Sequence, residues 1–186
     1  MTTRTTGIFF GVLLTFITPT PEMLALAPGQ TVALKLTDVD GRSLSASDGQ
    51  VTTLVFTARR DLDKARVVGD RTPDRCLGNP KFRMITVIHF SKTTSRTMRF
   101  VFTKLVRQRL ASEANRLRPR YLAKKLATDP RQDVHVVTDF NGATASQLGL
   151  PDSSELFKVL ILAPDGVLLR EWNAVPTSQE LDSALR

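Results

Sequence analysis

The chain holds one cysteine, Cys76, in 186 residues. That scarcity excludes an internal disulfide framework and any cysteine-rich metal site. Histidine is almost as scarce. His89 and His135 both fall in apolar, strand-like runs, and neither belongs to a His-Glu-x-x-His or Cys-His set. Both are read as structural, and no metal or cofactor is expected. A Gly-rich phosphate loop and a Gly-x-Ser-x-Gly elbow are also missing. Asp38-x-Asp40-Gly41 and Asp139-x-Asn141-Gly142 look like fragments of calcium loops, but they lack the remaining ligands and read as turns. The amino-terminal apolar run, Gly7 to Ile17, is shorter than the roughly 20 residues that span a bilayer core.

The length suits one domain with a short terminal extension, and the apolar fraction of 41% allows a substantial core. Arg4, the apolar run, the proline-broken stretch Thr18 to Glu22, and Ala25-Leu26-Ala27 follow the order of a secretory signal. Residues 1–27 are therefore expected to be a cleaved signal peptide, with an uncleaved anchor as the alternative. Either places the protein outside the cytoplasm, in the periplasm or the extracellular space. No cysteine is near enough for lipid attachment at a mature amino terminus.

The net charge of +8 is unevenly placed. Lys92 to Arg131 holds twelve Lys or Arg and two acids, a net +10, and the rest of the chain after residue 27 is left at −2. Arg107, Arg109, Arg116, Arg118, Arg120, Lys124 and Lys125 form this basic surface on a predicted helix. Such a surface suits an anionic lipid surface, a polyanion or an acidic protein, or is simply solvated. Nucleic acid is disfavoured, because few aromatics interleave with the charges and no binding motif is present.

Periodicity gives the element order. Thr31 to Leu36 alternates as a half-buried strand, and Asp38 to Gly41 turns it into a hairpin with Arg42 to Leu44. Val51 to Phe56 is a central strand. A helix is predicted over Asp61 to Val68, capped by Asp61 and ended by Gly69, and Asp70 to Pro80 reads as loop. Met84 to Phe90 is a second central strand. A long helix spans roughly Arg96 to Leu126, within a basic segment at about 94–128, and Pro119 should kink or split it. Val134 to Thr138, a short helical turn at Ala143 to Leu150, a hairpin at Phe157–Ala163 and Val167–Trp172, and a capped helix at Thr177 to Arg186 complete the chain. Strands alternating with helices predict an α/β domain over 28–186, with a mixed central sheet between two helical layers.

In this order, Leu36-Thr-Asp-Val-Asp-Gly41, Val51 to Phe56, Asp139-Phe-Asn-Gly142, Leu148-Gly-Leu-Pro151 and Leu160-Ile-Leu-Ala-Pro-Asp-Gly166 resemble the thioredoxin-like superfamily. The similarity is to its branch of exported thiol-disulfide reductases and peroxiredoxin-like proteins. The resemblance implies a three-layer thioredoxin-like fold with an amino-terminal β-hairpin extension. It also implies a Cys-x-x-Cys at the start of the helix after the first central strand. Here that stretch is Phe56-Thr-Ala-Arg-Arg-Asp-Leu-Asp-Lys64, and the cysteine positions fall at Asp61 and Lys64. The peroxidatic motif is missing too, and Asp152 to Phe157 holds no match for the family's cis-proline.

One expectation is thus a redox-degenerate binding or adaptor module, working on a protein or envelope component. A second is a single-cysteine antioxidant or exchange protein using Cys76, whose neighbours Arg71, Arg75 and Lys81 would lower its pKa. A third is association with an anionic membrane surface through the basic helix. The sequence leaves the oligomeric state open.

Overall fold

The structure is a computed structural model, and it describes residues 26–90, 94–151, 153 and 155–186. The predicted signal segment lies outside the described residues, apart from Leu26 and Ala27.

Two short strands, β1 (Lys35–Thr37) and β2 (Ser43–Ser45), form an antiparallel hairpin of their own. The main sheet has five strands in the order β5-β4-β3-β6-β7. These are β3 (Val51–Ala58), β4 (Phe82–His89), β5 (Val134–Asp139), β6 (Phe157–Leu162) and β7 (Leu168–Trp172). β3, β4 and β5 run parallel, while β6 runs antiparallel to β3 and β7 antiparallel to β6. The mixed sheet inferred from sequence is therefore present.

The burial alternation predicted at the amino terminus holds. Val32, Leu34 and Leu36 are buried and their neighbours exposed, yet only Lys35–Thr37 pairs as a strand. Val32 instead donates its N–H to the Gly166 carbonyl, Gly29 donates to the Leu168 carbonyl, and Leu168 donates to the Gln30 carbonyl. The segment thus borrows its partners from the β6–β7 turn. Gly166 allows this approach: its φ is +85°, and a Cβ there would stand 3.2 Å from the Val32 carbonyl oxygen.

On one face of the sheet, Leu54, Phe56, Ile85, Val87, Leu160 and Leu162 pack under the hairpin and α4 (Ala143–Gln147). The opposite face carries α1 (Leu62–Arg71), α2 (Arg96–Ala123) and α5 (Ser178–Ala184). There Val55, Val159 and Ile161 meet Ala65, Val68 and Leu181, all below 5% exposed. Complete burial of each such aliphatic side chain contributes about 1.5–3 kcal/mol. A one-turn helix, α3 (Pro130–Asp133), leads into β5.

Three local expectations are corrected. α1 runs through Gly69 to Arg71, because the glycine is covered by Met84 and not turned into a left-handed cap. The predicted loop after it contains a 3-10 turn, Asp74–Cys76. Pro119 does not divide the long helix: α2 is continuous to Ala123. Pro119 lies near the carboxyl end, where only one further turn follows. That turn is tied down by Tyr121, which is buried and donates to Asp133 of α3 at 2.6 Å. Gly142 begins α4 at φ +72°, and Thr177 and Glu180 form the predicted capping box of α5.

Candidate functional site

At the carboxyl edge of the sheet, β3 passes through a 3-10 turn, Arg59–Asp61, into α1. This is the stretch that the family resemblance sets against a Cys-x-x-Cys. Asp61 stands at the N-cap position, but its side chain makes no capping bond, contrary to expectation. The carboxylate is drawn elsewhere: Lys64 Nζ lies 2.8 Å from one oxygen and Arg60 Nε 3.5 Å from the other. The Lys64 hydrogen bond, chiefly, holds the Asp61 carboxyl below its ordinary value despite the opposing effect of burial. Arg60 also reaches Glu155 at 3.0 Å, and Ala58 donates to the Leu156 carbonyl at 3.1 Å. The start of α1 and the approach to β6 therefore meet, held by ion pairs and a backbone bond.

Beside this junction lies an aromatic shelf that the sequence analysis did not single out. Phe90 packs on Phe102 (centroids 5.2 Å apart) and on Phe140 (4.7 Å). Arg59 stacks over Phe102 at 4.6 Å and Arg99 over Phe140 at 5.6 Å. The three rings come from the end of β4, from α2 and from the turn after β5, so no local periodicity unites them. Their common signal is position, each ring lying near the carboxyl edge of the sheet or on α2 beside it.

Cys76 is elsewhere. It ends the 3-10 turn before β4, at the far end of α1 from Asp61, half-buried against the cluster of Val55, Val68 and Leu185. A ten-residue helix separates the two places, about 15 Å at 1.5 Å per residue. The expected lowering of its pKa is reversed. Burial pushes the thiol up, and the opposing charge of Arg75 is offset by Asp182, with which Arg75 pairs.

The basic helix divides into two sets. Arg107 donates to the Val39 carbonyl at 2.7 Å and lies 3.7 Å from Asp40. Arg116 bonds Asp70 at 2.7 Å and Glu113 at 2.8 Å, while Arg120 bonds Asp74 at 2.5 Å, with Lys124 3.6 Å from the same carboxylate. These four cations fasten α2 to the hairpin turn, to α1 and to the turn before β4. The side chains of Arg109, Arg118 and Lys125 make no ion pair or hydrogen bond with the described residues.

Both histidines face carboxylates. His135 Nδ1 lies 3.3 Å from Asp38, which also accepts the backbone N–H groups of Asp40 and Arg42 at 2.9 and 2.8 Å. Burial acts to raise the Asp38 carboxyl, and the Arg42, His135 and Asp40 bonds together outweigh it, leaving the group below its ordinary value. His89 Nδ1 lies 3.2 Å from Asp139, both fully buried, and Asp139 accepts the N–H groups of Thr144 and Ala145 that begin α4. Among the described residues no cluster of three potential metal ligands occurs. Asp38 to Gly41 joins β1 to β2, and Asp139 to Gly142 leads from the end of β5 into α4.

No protein-family profile and no curated protein sequence matches the chain. Solved structures do. A secreted thiol-disulfide isomerase from Corynebacterium glutamicum superposes with a TM-score of 0.52 at 16% identity, over 93% of this chain and 96% of its own. A DsbF homologue from Corynebacterium diphtheriae gives 0.53 at 12% identity, over 92% and 97%. The exposed lipoprotein thioredoxin Etrx1 from Streptococcus pneumoniae gives 0.51 at 15%, over 82% and 96%. At these identities the likeness establishes the fold, which is thioredoxin-like with a five-stranded mixed sheet flanked by helices.

Proposed function

We propose that this thioredoxin-like fold serves outside the cytoplasm as a binding module and not as a disulfide exchanger. The observation that supports this most strongly is the Asp61–Lys64 ion pair in the first turn after β3, with the chain's one cysteine at the opposite end of α1. Thiol–disulfide exchange needs a thiolate to attack and a second sulfur to resolve the mixed disulfide. Neither is present at this edge. What the edge offers is an aromatic shelf flanked by Arg59 and Arg99. Such a surface suits an extended segment of a protein partner carrying acidic and aromatic side chains. Export is supported by the amino-terminal sequence and by the secreted and surface-exposed character stated for the structural neighbours.

The reading is tested by incubating the protein with a fluorogenic glutathione disulfide and dithiothreitol, beside the Cys76→Ser variant. Both should turn over at the background rate. Turnover above background that the variant loses would instead support the single-thiol reading.

A further inference from the structure

The sheet face under α1 and α2 is not closed. β4 is an interior strand, between β3 and β5, and its side chains at 82, 84, 86 and 88 point to this face. Yet Met84 and Thr86 remain partly exposed, where an interior strand is ordinarily covered on both sides. The apolar packing on this face also falls into two separate clusters. One joins β3 and β6 to α1 and α5, and the other joins Ile88 and Val136 to Leu110 of α2. Between them lies a cleft of about 670 Å³, within the usual size of ligand pockets of about 300–1,000 Å³.

Its floor is Met84, Thr86, Ile88 and Phe90, and its α2 wall is Phe102, Leu105, Val106 and Leu110. Between α1 and α2 run charged links: Arg66 to Glu113 at 3.9 Å, and Arg116 to Asp70 at 2.7 Å. The lining is apolar in depth and cationic at its edge, where Arg59, Arg60, Arg66, Arg109 and Arg116 stand against Asp63, Glu113 and Asp133. Among the described residues, two of those arginines lack a carboxylate partner: the Arg109 side chain makes no ion pair or hydrogen bond there, and the Arg59 guanidinium is engaged only by the Phe102 ring.

We infer that this cleft is a binding site for a single-chain anionic amphiphile, a long-chain carboxylate or its equivalent. The chain would lie along β4 between the two helices, and the head group would pair with Arg109 or Arg59. Charge and polarity carry the choice of ligand. A neutral apolar ligand would leave both guanidinium groups unmatched, and a small anion would leave the floor empty. The site shares Arg59, Phe90 and Phe102 with the shelf and extends beyond it to Thr86, Val106, Leu110 and Arg109, which belong to the cleft alone.

The test uses the full chain and 11-(dansylamino)undecanoate, whose emission shifts and strengthens on entering an apolar site. Saturable binding of one probe per chain is expected, below the micelle concentration. Dodecanoate should displace it at least tenfold more effectively than dodecanol. Across decanoate, undecanoate and dodecanoate, each methylene should tighten displacement about threefold to fourfold. Arg109→Gln should weaken dodecanoate about tenfold while leaving dodecanol unchanged. Thr86→Phe, a good strand former placed on the floor, should abolish probe binding without loss of the folded circular dichroism spectrum. Absence of saturable binding, equal displacement by dodecanol, or indifference to both substitutions would overturn the proposal. None of these outcomes bears on disulfide turnover, so this site and the binding-module reading fail separately.

Discussion

If the turn after β3 is a thioredoxin-type active position that has lost its sulfurs, restoring them should restore a dithiol couple. The perturbation is Asp61→Cys with Lys64→Cys on a Cys76→Ser background. Residues three apart in the first helical turn bring their Cβ atoms to about 5–6 Å, and local adjustment of that turn admits the Cα separation of about 4.4–6.8 Å that a disulfide needs. The cost to the fold is small, because the Asp61–Lys64 pair joins a side chain 15% exposed to one 52% exposed. An exposed pair of this kind contributes about 0.5 kcal/mol, so the melting temperature should fall by no more than about 2 °C. The new thiol at position 61 would stand at the start of α1. A helix amino terminus stabilises an adjacent anion by about 0.3–1 kcal/mol, which at about 1.4 kcal/mol per unit is near half a pKa unit. Arg59 and Arg60 act in the same direction. Its alkylation midpoint should therefore lie below that of free cysteine, at about 8 or lower. Alkylation rates over pH 5–10 and a thiol count before and after mild oxidation provide the assay. A variant that keeps both thiols after oxidation, or whose midpoint lies above that of free cysteine, refutes the assignment of these positions.

Arg83 has a side chain only 4% exposed, donates to Thr52 Oγ1 at 2.9 Å and Asp48 at 2.6 Å, and also bonds the Ser45 carbonyl. Arg83→Met should cost about 2–3 kcal/mol, read in urea unfolding as a lowered midpoint with an unchanged slope, and a loss under about 0.5 kcal/mol would show the network to be idle. The Asp38 carboxyl is lowered in the folded state, so between its folded and unfolded values the unfolded chain binds more protons. Its contribution is thus present above about pH 4 and lost as pH falls through the folded value. Asp38→Asn should flatten stability against pH below about 4, and an unchanged slope there would contradict the assignment. Cys76 should alkylate more slowly than free cysteine at pH 7.5, with its midpoint displaced upward. Rapid reaction with a lowered midpoint would return it to the centre of the function.

The strands and their order were legible in the sequence because β-branched runs such as Val51 to Phe56 sit between strong turn signals at Asp48-Gly49 and Pro164-Asp165-Gly166. Helix ends were less legible. Asp61 has the chemistry of a cap, but Lys64 and Arg60 compete for its carboxylate, and no local pattern announces that competition. Gly69 reads as a terminator until Met84 is seen to cover it. The basic run was visible as composition, but its division into fastened and unpaired cations was not. That depends on Asp40, Asp70 and Asp74, each of which lies 46 or more residues away from its partners on α2. Cys76 misled for the same reason: nearby cations in sequence are not free cations once Arg75 has found Asp182. The cleft and the Phe90–Phe102–Phe140 shelf draw on several elements each and leave no signature in any single window.

Leu26, the first described residue, packs against the hairpin side of the sheet, and the chain from Gly29 to Val32 is laced to the last β-turn. The domain therefore has a back and a front. A molecule tethered through the residues before Leu26 would leave that tether from its back. Its front, bearing α1, α2 and the open seam over β4, would then look away from the tether. Whatever such a molecule captures would arrive from the surrounding solvent, and not from the surface to which it is moored.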